Sequence, residues 1–281
     1  MNLREARIFN VLLNRYDPQE RSKLLSFLQP EVKQDLALQG FYFDEIAPLL
    51  FQHQHVLERM HYSWLKPVLQ KFPEELVLLV ISSLSPGQVE GLKLKKIPSM
   101  RLSQNVKLFI KTLIYKHLDI QNLLPIEFLS TSEFSLLLNM DKNKLMDLVD
   151  FLGLHDLASE VRKIVNPSLL KNIYTSLAPK QFHYLKICMN QKDKLVSPPL
   201  GIDISASDSS LIKQAIHKRG LVRFGKALCG EHKDLVWYIA HVLDTGRGKI
   251  LLSQYQPEAI PAITSFLQMQ VMNVINFLKK E

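Results

Sequence analysis

Histidine has the widest choice of chemistry in this chain, because it can bind metals and transfer protons near neutral pH. Three of the nine histidines lie close together in the sequence, at His53, His55 and His61. A helix would place His53 and His55 on different faces, since only residues three or four apart are neighbours there. The His-Glu-x-x-His spacing of helical zinc sites does not occur. We therefore expect no metal site, and a hydrolase centred on residues 53–61 is left as an alternative.

A second pattern, Thr-Gly-Arg-Gly-Lys at 245–249, looks superficially like a phosphate-binding loop. It lacks the full Walker spacing, and no predicted strand precedes it. A turn at a helix end with a basic flank explains it better. No Gly-x-Ser-x-Gly elbow occurs, and neither Cys188 nor Cys229 has a histidine partner in a local motif. The sequence thus predicts a protein that is not an enzyme and needs no cofactor.

Basic residues exceed acidic ones, which gives a formal net charge of +8. The densest cluster comprises residues 217–219, His-Lys-Arg, with Arg223 and Lys226. Helical spacing would place several of them on one exposed face, where they could bind phosphate. No aromatic stacking platform or recognition helix lies beside them in the sequence. A nucleic-acid-binding helical protein is therefore the alternative function, and a solvated or protein-binding face is the prediction.

A repeated phrase, leucine then any residue then proline, indicates the fold. It occurs at 28–30, 84–86 and 177–179. Each copy predicts a helix that ends at the leucine and a second helix that begins at the proline, where the missing N–H is tolerated. With only 10 glycines and little strand-like alternation, the chain is predicted to be all-α, built from stacked helix pairs.

The distribution of prolines and small residues predicts three helical regions. These are an N-terminal region at 1–97, a central region at 98–194, and a compact C-terminal domain at 208–281 after a linker at 195–207. Within the central region we expect helices at 125–139, 142–152 and 155–165. The last helix is expected at 264–279.

Nothing in the sequence predicts insertion into a membrane. The first residues show no signal peptide, and the longest aliphatic run, 76–81, is far too short to span a bilayer. We therefore expect a cytoplasmic protein that partners bring to a membrane.

Residues 72–92, from Phe-Pro-Glu-Glu-Leu to Val-Glu-Gly-Leu, resemble the middle domain of FliG, the flagellar rotor switch protein. Residues 210–251 are similar to the C-terminal domain of the same family, with Ala-Leu-Cys-Gly at 227–230 where the family has Ala-Leu-Lys-Gly. The segment 61–65, His-Tyr-Ser-Trp-Leu, is similar to a phrase of the SctK accessory proteins of type III secretion. The resemblance implies armadillo-type helix pairs and a role in the cytoplasmic part of one of these assemblies.

The same resemblance implies which residues contact partners. They are Pro73 and Glu74 in the middle unit, and Asp208, Lys213 and Gln214 in the C-terminal helix. The paired acids and arginines of the family's torque helix are mostly missing, which favours a scaffold that links a membrane-ring protein to cytoplasmic platform proteins. Self-association through the repeats and a generic armadillo-like interaction protein remain open. Leu76, Leu84 and Leu92 are expected to be buried fold residues.

Overall fold

The computed structural model of the 281-residue chain describes residues 17–38, 52–93, 101–118, 120, 123–191 and 209–280, together with Phe9 and Leu13. Its regular structure is helical, and these residues include no β-strand. The all-α prediction is therefore confirmed for the described part of the chain. The predicted linker at 195–207 lies outside the described residues.

The helices of the N-terminal half are short. They are α1 Pro18–Ser26, α2 Pro30–Leu38, α3 Gln52–Arg59, α4 Tyr62–Leu69, α5 Glu74–Ile81, α6 Pro86–Gly91 and α7 Gln104–His117. Two 3₁₀ helices follow, Ile126–Phe128 and Glu133–Asn139. The remaining helices are α8 Lys142–Val161, α9 Pro167–Ser176, α10 Pro179–Asn190, α11 Ser209–Ala227, α12 Lys233–Val242, α13 Thr245–Gln254 and α14 Ile263–Lys280. Among the described residues, none of these helices combines the length and apolar character that crossing a membrane requires.

The three Leu-x-Pro phrases are helix–turn–helix corners, as predicted. The next helices begin at Pro30, Pro86 and Pro179 as expected, whereas the helices before them end one to three residues before the leucines, at Ser26, Ile81 and Ser176. Proline is tolerated at these starts because the first N–H groups of a helix have no intrahelical acceptor. The corners therefore fix where six of the helices begin or end.

Two expectations about the central region were wrong. Residues 125–139 form the two short 3₁₀ helices instead of one α-helix, and 142–161 form one continuous helix instead of two. Helix α8 begins where the Asp141 carboxylate accepts a hydrogen bond from the Lys144 N–H over 2.9 Å. The helix does not end at Gly153, and this glycine lies in close contact with the backbone of α11.

The described residues belong to two compact units. The first takes its residues from Met1–Glu58, Lys71–Ser85 and Lys96–Ser130, and the second from Arg59–Gln70, Pro86–Lys95 and Thr131–Glu281. This partition differs from the three ranges expected from the sequence. Helices α11 to α14 belong to the same unit as α8, against which α11 and α14 pack.

In the first unit, α5 packs against α7. Lys111 of α7 forms an ion pair with Glu58 of α3 over 2.8 Å. Burial alone would raise the pKa of Glu58, but its hydrogen bonds with Lys111 and Gln54 lower the pKa below its usual value. Phe72, just before α5, makes an edge contact with the ring of His117 at the end of α7.

Helix α8 is the centre of the second unit. Twelve of its 20 residues are buried, which is typical of a helix with neighbours on several sides. It packs against α10, α11 and α14, while α11 also packs against α9, α13 and α14. A binding site on α8 must therefore lie on a side of the helix that these neighbours leave uncovered.

The backbones of α8 and α11 come into direct contact through two glycines. A Cβ on Gly220 would lie 1.8 Å from the Val149 carbonyl oxygen, and one on Gly153 would lie 2.0 Å from the Ile216 carbonyl oxygen. Any side chain at either position would push the helices apart, so glycine is required here for packing.

A buried polar network crosses the same contact. The guanidinium of Arg223 on α11 donates to Asp156 of α8 from Nε over 3.0 Å and to Gln270 of α14 from NH1 over 2.7 Å. The Gln270 amide lies 3.3 Å from His155, whose other ring nitrogen lies 3.3 Å from the Tyr184 hydroxyl. All five side chains are buried, and the buried charge of Arg223 is balanced by Asp156.

We predict that Gly220→Ala lowers the free energy of unfolding of the second unit by at least about 2 kcal/mol, because the new methyl group forces the backbones of α8 and α11 apart. Both tryptophans of the chain, Trp64 and Trp237, lie in this unit. Their fluorescence during urea unfolding therefore measures the effect.

The matched control is Gly87→Ala in α6 of the same unit, where a Cβ would meet nothing within 4 Å. Alanine is the better helix former by up to about 1 kcal/mol, so this variant should be as stable as the original chain or more stable. Equal destabilisation by both substitutions would show that α8 and α11 are not in backbone contact.

Candidate functional site

The second unit contains an apolar groove of about 940 Å³ where three elements converge. The first is the 3₁₀ helix Glu133–Asn139 with the start of α8, the second is the beginning of α10, and the third is the end of α14. Its apolar side chains are Leu136, Met140, Leu148, Phe151, Ile275 and Leu278. The volume lies at the upper end of the range of about 300–1,000 Å³ for ligand-binding pockets.

The floor of the groove is closely packed. Leu148, Phe151 and Ile275 are buried. The ring of Phe151 is supported from behind by Tyr184 at a centroid distance of 5.4 Å and by Phe277 at 5.7 Å. Because the three floor residues are buried, the half-buried Leu136, Met140 and Leu278 are the apolar side chains above them that an occupant would contact.

The rim of the groove is charged and exposed. Among the described residues, Lys144, Lys180 and Lys279 line it together with a single acidic residue, Asp147. Three positive charges against one negative charge leave an excess of two positive charges. An apolar floor within a polar, solvent-accessible rim has the composition of a protein-binding surface.

Asp147 is the acidic member of the rim. Burial raises its pKa above the usual value, and the nearby carboxylates of Asp150 and Asp141 raise it further, while Lys180 opposes them.

Helix α10 points its N-terminal end into the same groove. Ala178 precedes the helix and has no polar side chain to accept from its first N–H groups, and Pro179 occupies the first position. The side chain of Gln181 instead accepts from the Ala178 N–H over 3.1 Å. The positive end of the helix dipole therefore adds to the positive potential of the rim.

The predicted contact residues Pro73 and Glu74 lie at the start of α5 in the first unit, and both are exposed. The helix that they begin is apolar on all sides. Its Leu76 and Leu78 are 44% and 50% exposed, so the expectation that Leu76 is buried was wrong. Leu84 is buried as expected. Leu92 is only half-buried.

The other predicted contact residues belong to the second unit. Lys213 and Gln214 are exposed on the first half of α11, where the Gln214 amide donates to the Ser210 hydroxyl over 3.2 Å. Asp208 lies outside the described residues. Neither Lys213 nor Gln214 lines the groove, so the structure does not bring these two predicted residues to it.

The basic cluster of α11 does not form one exposed basic face. Arg223 is buried in its ion pair with Asp156, and His217 lies 2.6 Å from the Asp150 carboxylate. The two side chains are thus occupied in holding α11 to α8. This removes the main support for nucleic-acid binding that the cluster offered.

The phrase at 61–65 attaches α4 to the corner between α12 and α13. The Ser63 hydroxyl accepts from the Thr245 N–H over 2.9 Å, and the Trp64 indole N–H donates to the Leu243 carbonyl over 2.8 Å. Nε2 of His61 lies 3.0 Å from the Lys142 ammonium. Burial and then Lys142 lower the pKa of His61. The phrase therefore has a packing role in the second unit.

The pattern at 245–249 begins α13, as predicted. Asp244 caps the helix by accepting from the Arg247 N–H over 3.2 Å, and it also pairs with the Arg247 guanidinium. Burial alone would raise the pKa of Asp244, but these hydrogen bonds lower it. With a carboxylate at its cap, the start of this helix is already occupied by an anion. Among the described residues, no group of three or more His, Cys, Asp or Glu side chains is arranged to bind a metal ion.

The sequence patterns did not predict the residues of the groove. Two signals were available: the long apolar stripe of the last helix reaches as far as Leu278, and Pro179 follows an alanine where a capping residue is usual. Neither signal reveals that Lys144, Lys180 and Lys279 share one rim, because they come from three separate helices.

His241 provides a test of how α4 packs on α12. Its ring stacks on Trp237 at 3.8 Å and on Trp64 at 4.1 Å, and burial lowers its pKa to about 4 despite a hydrogen bond to the Trp237 carbonyl. In the unfolded chain a histidine takes up its proton near pH 6.5. The unfolded state therefore binds more protons between these values, and stability must fall as the pH decreases through them.

We predict that the titration of His241 lowers the free energy of unfolding by up to about 3 kcal/mol as the pH falls from 7 to 4. His241→Phe keeps the stack and should remove that part of the slope. His183→Phe, at an exposed histidine of α10, is the control and should retain the original slope. An unchanged slope in His241→Phe would contradict the burial of His241 between the two tryptophans.

Comparison with known proteins gives no family assignment. No family model matches the chain, and neither a curated protein nor a solved structure matches it.

Proposed function

We propose that the protein is a non-enzymatic adaptor, and the observation that carries this proposal is the groove of the second unit. It combines an apolar floor with an exposed charged rim, in a unit whose described elements are helical. Grooves between helices bind the apolar faces of partner helices in many complexes. Its function in this account is therefore to hold a segment of another protein.

An adaptor needs a second contact surface, and the first unit offers one. Helix α5 exposes Leu76 and Leu78 next to the predicted contact residues Pro73 and Glu74. The two leucines lie on different faces of the helix, since they are two residues apart, and each is an exposed apolar side chain that a partner would cover. Each unit then contributes one binding surface, and the chain connects the two partners.

The more specific proposal is that the protein belongs to the cytoplasmic part of a flagellar or type III secretion apparatus. Its support is the resemblance of 72–92 and 210–251 to FliG and of 61–65 to SctK proteins. In this role it links a membrane-ring protein to cytoplasmic platform proteins, and it lies peripherally at the inner face of the membrane through them. An armadillo-type stacking of the helix pairs is part of the same proposal.

The experiment is cross-linking in the cells that make the protein. A photoreactive amino acid replaces Leu278 in the groove or Leu78 on α5. In a control protein it replaces Val165, which is 91% exposed and lies outside the groove. We expect Leu278 and Leu78 to cross-link to two different proteins, one of the membrane ring and one of the platform, and Val165 to cross-link to neither.

The recovered partner is then purified and its affinity measured directly. Leu278→Asp should weaken the binding of the groove partner by about tenfold or more, because it places a charge in the apolar contact. If the groove partner belongs to an unrelated assembly, the adaptor role is retained, but the proposal that the protein is part of a flagellar or type III secretion apparatus is contradicted. Binding that is equal for Leu278→Asp and the original chain would contradict the groove as a docking surface.

A further inference from the structure

The charge of the groove limits what kind of segment can occupy it. The three rim lysines come from different elements, with Lys144 on α8, Lys180 on α10 and Lys279 on α14. They therefore reach the groove from three different helices. An occupant meets a positive charge from each of α8, α10 and α14.

A further feature increases the positive potential. Ala178 at the cap of α10 has no polar side chain, and the first residues of the helix line the groove. Within the part of the chain that the structure describes, Asp147 is the one acidic side chain of the lining. A positive rim attracts acidic partners and repels basic ones, which sets specificity more than affinity.

The shape of the groove favours a helix over a small molecule. Pockets for small ligands enclose most of the ligand surface. Here Lys144, Asp147, Pro179, Lys180 and Lys279 are all exposed, so the groove is open on the solvent side. A helix is about 10–12 Å wide with its side chains. One of its faces can fill such a groove while the opposite face stays in water.

We infer that the groove binds an amphipathic helix whose apolar stripe is flanked by aspartate or glutamate residues. Leucine-sized side chains of this helix pack on the half-buried Leu136, Met140 and Leu278. Its carboxylates lie beside the three lysines. The inference rests on the proposed function, since it specifies the partner of the same groove.

The test uses a displayed library of 18-residue helical peptides with leucines on one face and random charges on both sides of it. The full chain is the target. Binders that are lost on the Leu278→Asp chain are kept, because they depend on the groove. We expect the retained peptides to be acidic beside their apolar stripe, with an excess of glutamate and aspartate over lysine and arginine.

A charge exchange then tests the cause. A chain with Lys144→Glu, Lys180→Glu and Lys279→Glu should bind a selected acidic peptide about tenfold more weakly or worse, and should prefer the same peptide with its acids changed to lysine. The matched control carries Lys163→Glu, Lys233→Glu and Lys249→Glu, at exposed lysines of the same unit outside the groove. It has the same net charge and should retain the original affinity. Raising the salt from 0.1 M to 1 M, which shortens the screening length from about 10 Å to about 3 Å, should remove most of the preference for acid.

The outcomes separate this inference from the function on which it depends. The inference of an acidic partner helix is overturned if the groove-dependent peptides show no acidic bias, or if the two triple variants have equal effects. Either result still leaves the groove as a docking surface. A library without any groove-dependent peptide would overturn both. Displacement of the peptides by a long-chain fatty acid or by vesicles of anionic phospholipid at the groove would assign it to a lipid and overturn the inference.

Discussion

The close contact between α8 and α11 determines how the second unit is arranged. Gly153 and Gly220 allow each backbone to approach the other helix within the space that a side chain would occupy. Helix α8 therefore uses one face, at Val149 and Gly153, for backbone contact. A second face, at Lys144, Leu148 and Phe151, is left for the groove, since residues three or four apart lie on one side of a helix.

The polar network at this contact adds a constraint that apolar packing lacks. Arg223 has to meet both Asp156 and Gln270, which come from α8 and α14. An unpaired buried charge costs several kcal/mol, roughly 3–5 when one partner of a buried pair is removed. The network thus fixes the order of three helices, and α14 carries Ile275 and Leu278 to the groove as a result. The same network explains why Arg223, a member of the basic cluster that begins at 217–219, lies in the core.

The sequence was sufficient to predict the all-α fold and the three corners, because proline at a helix start has a strong local cause. It was insufficient at Gly153, where a glycine that usually weakens a helix is kept for contact with another helix. It was also insufficient at Leu76, because a leucine run looks the same whether tertiary structure covers it or not. The groove could not be predicted at all, since Lys144, Lys180 and Lys279 are brought together only by the packing of α8, α10 and α14. The predicted residues Lys213 and Gln214 came from a resemblance, and the structure places them away from the groove lining.

The central claim is that the groove of the second unit is where an acidic amphipathic helix binds. The most direct test is NMR of the methionine methyl groups in the full chain during titration with an acidic amphipathic peptide. Met140 lies in the groove, whereas Met269 is 51% exposed on α14 outside its lining. The Met140 signal should shift until the peptide saturates the groove, while the Met269 signal should stay in place. A shift of Met269 with an unchanged Met140 would contradict the claim.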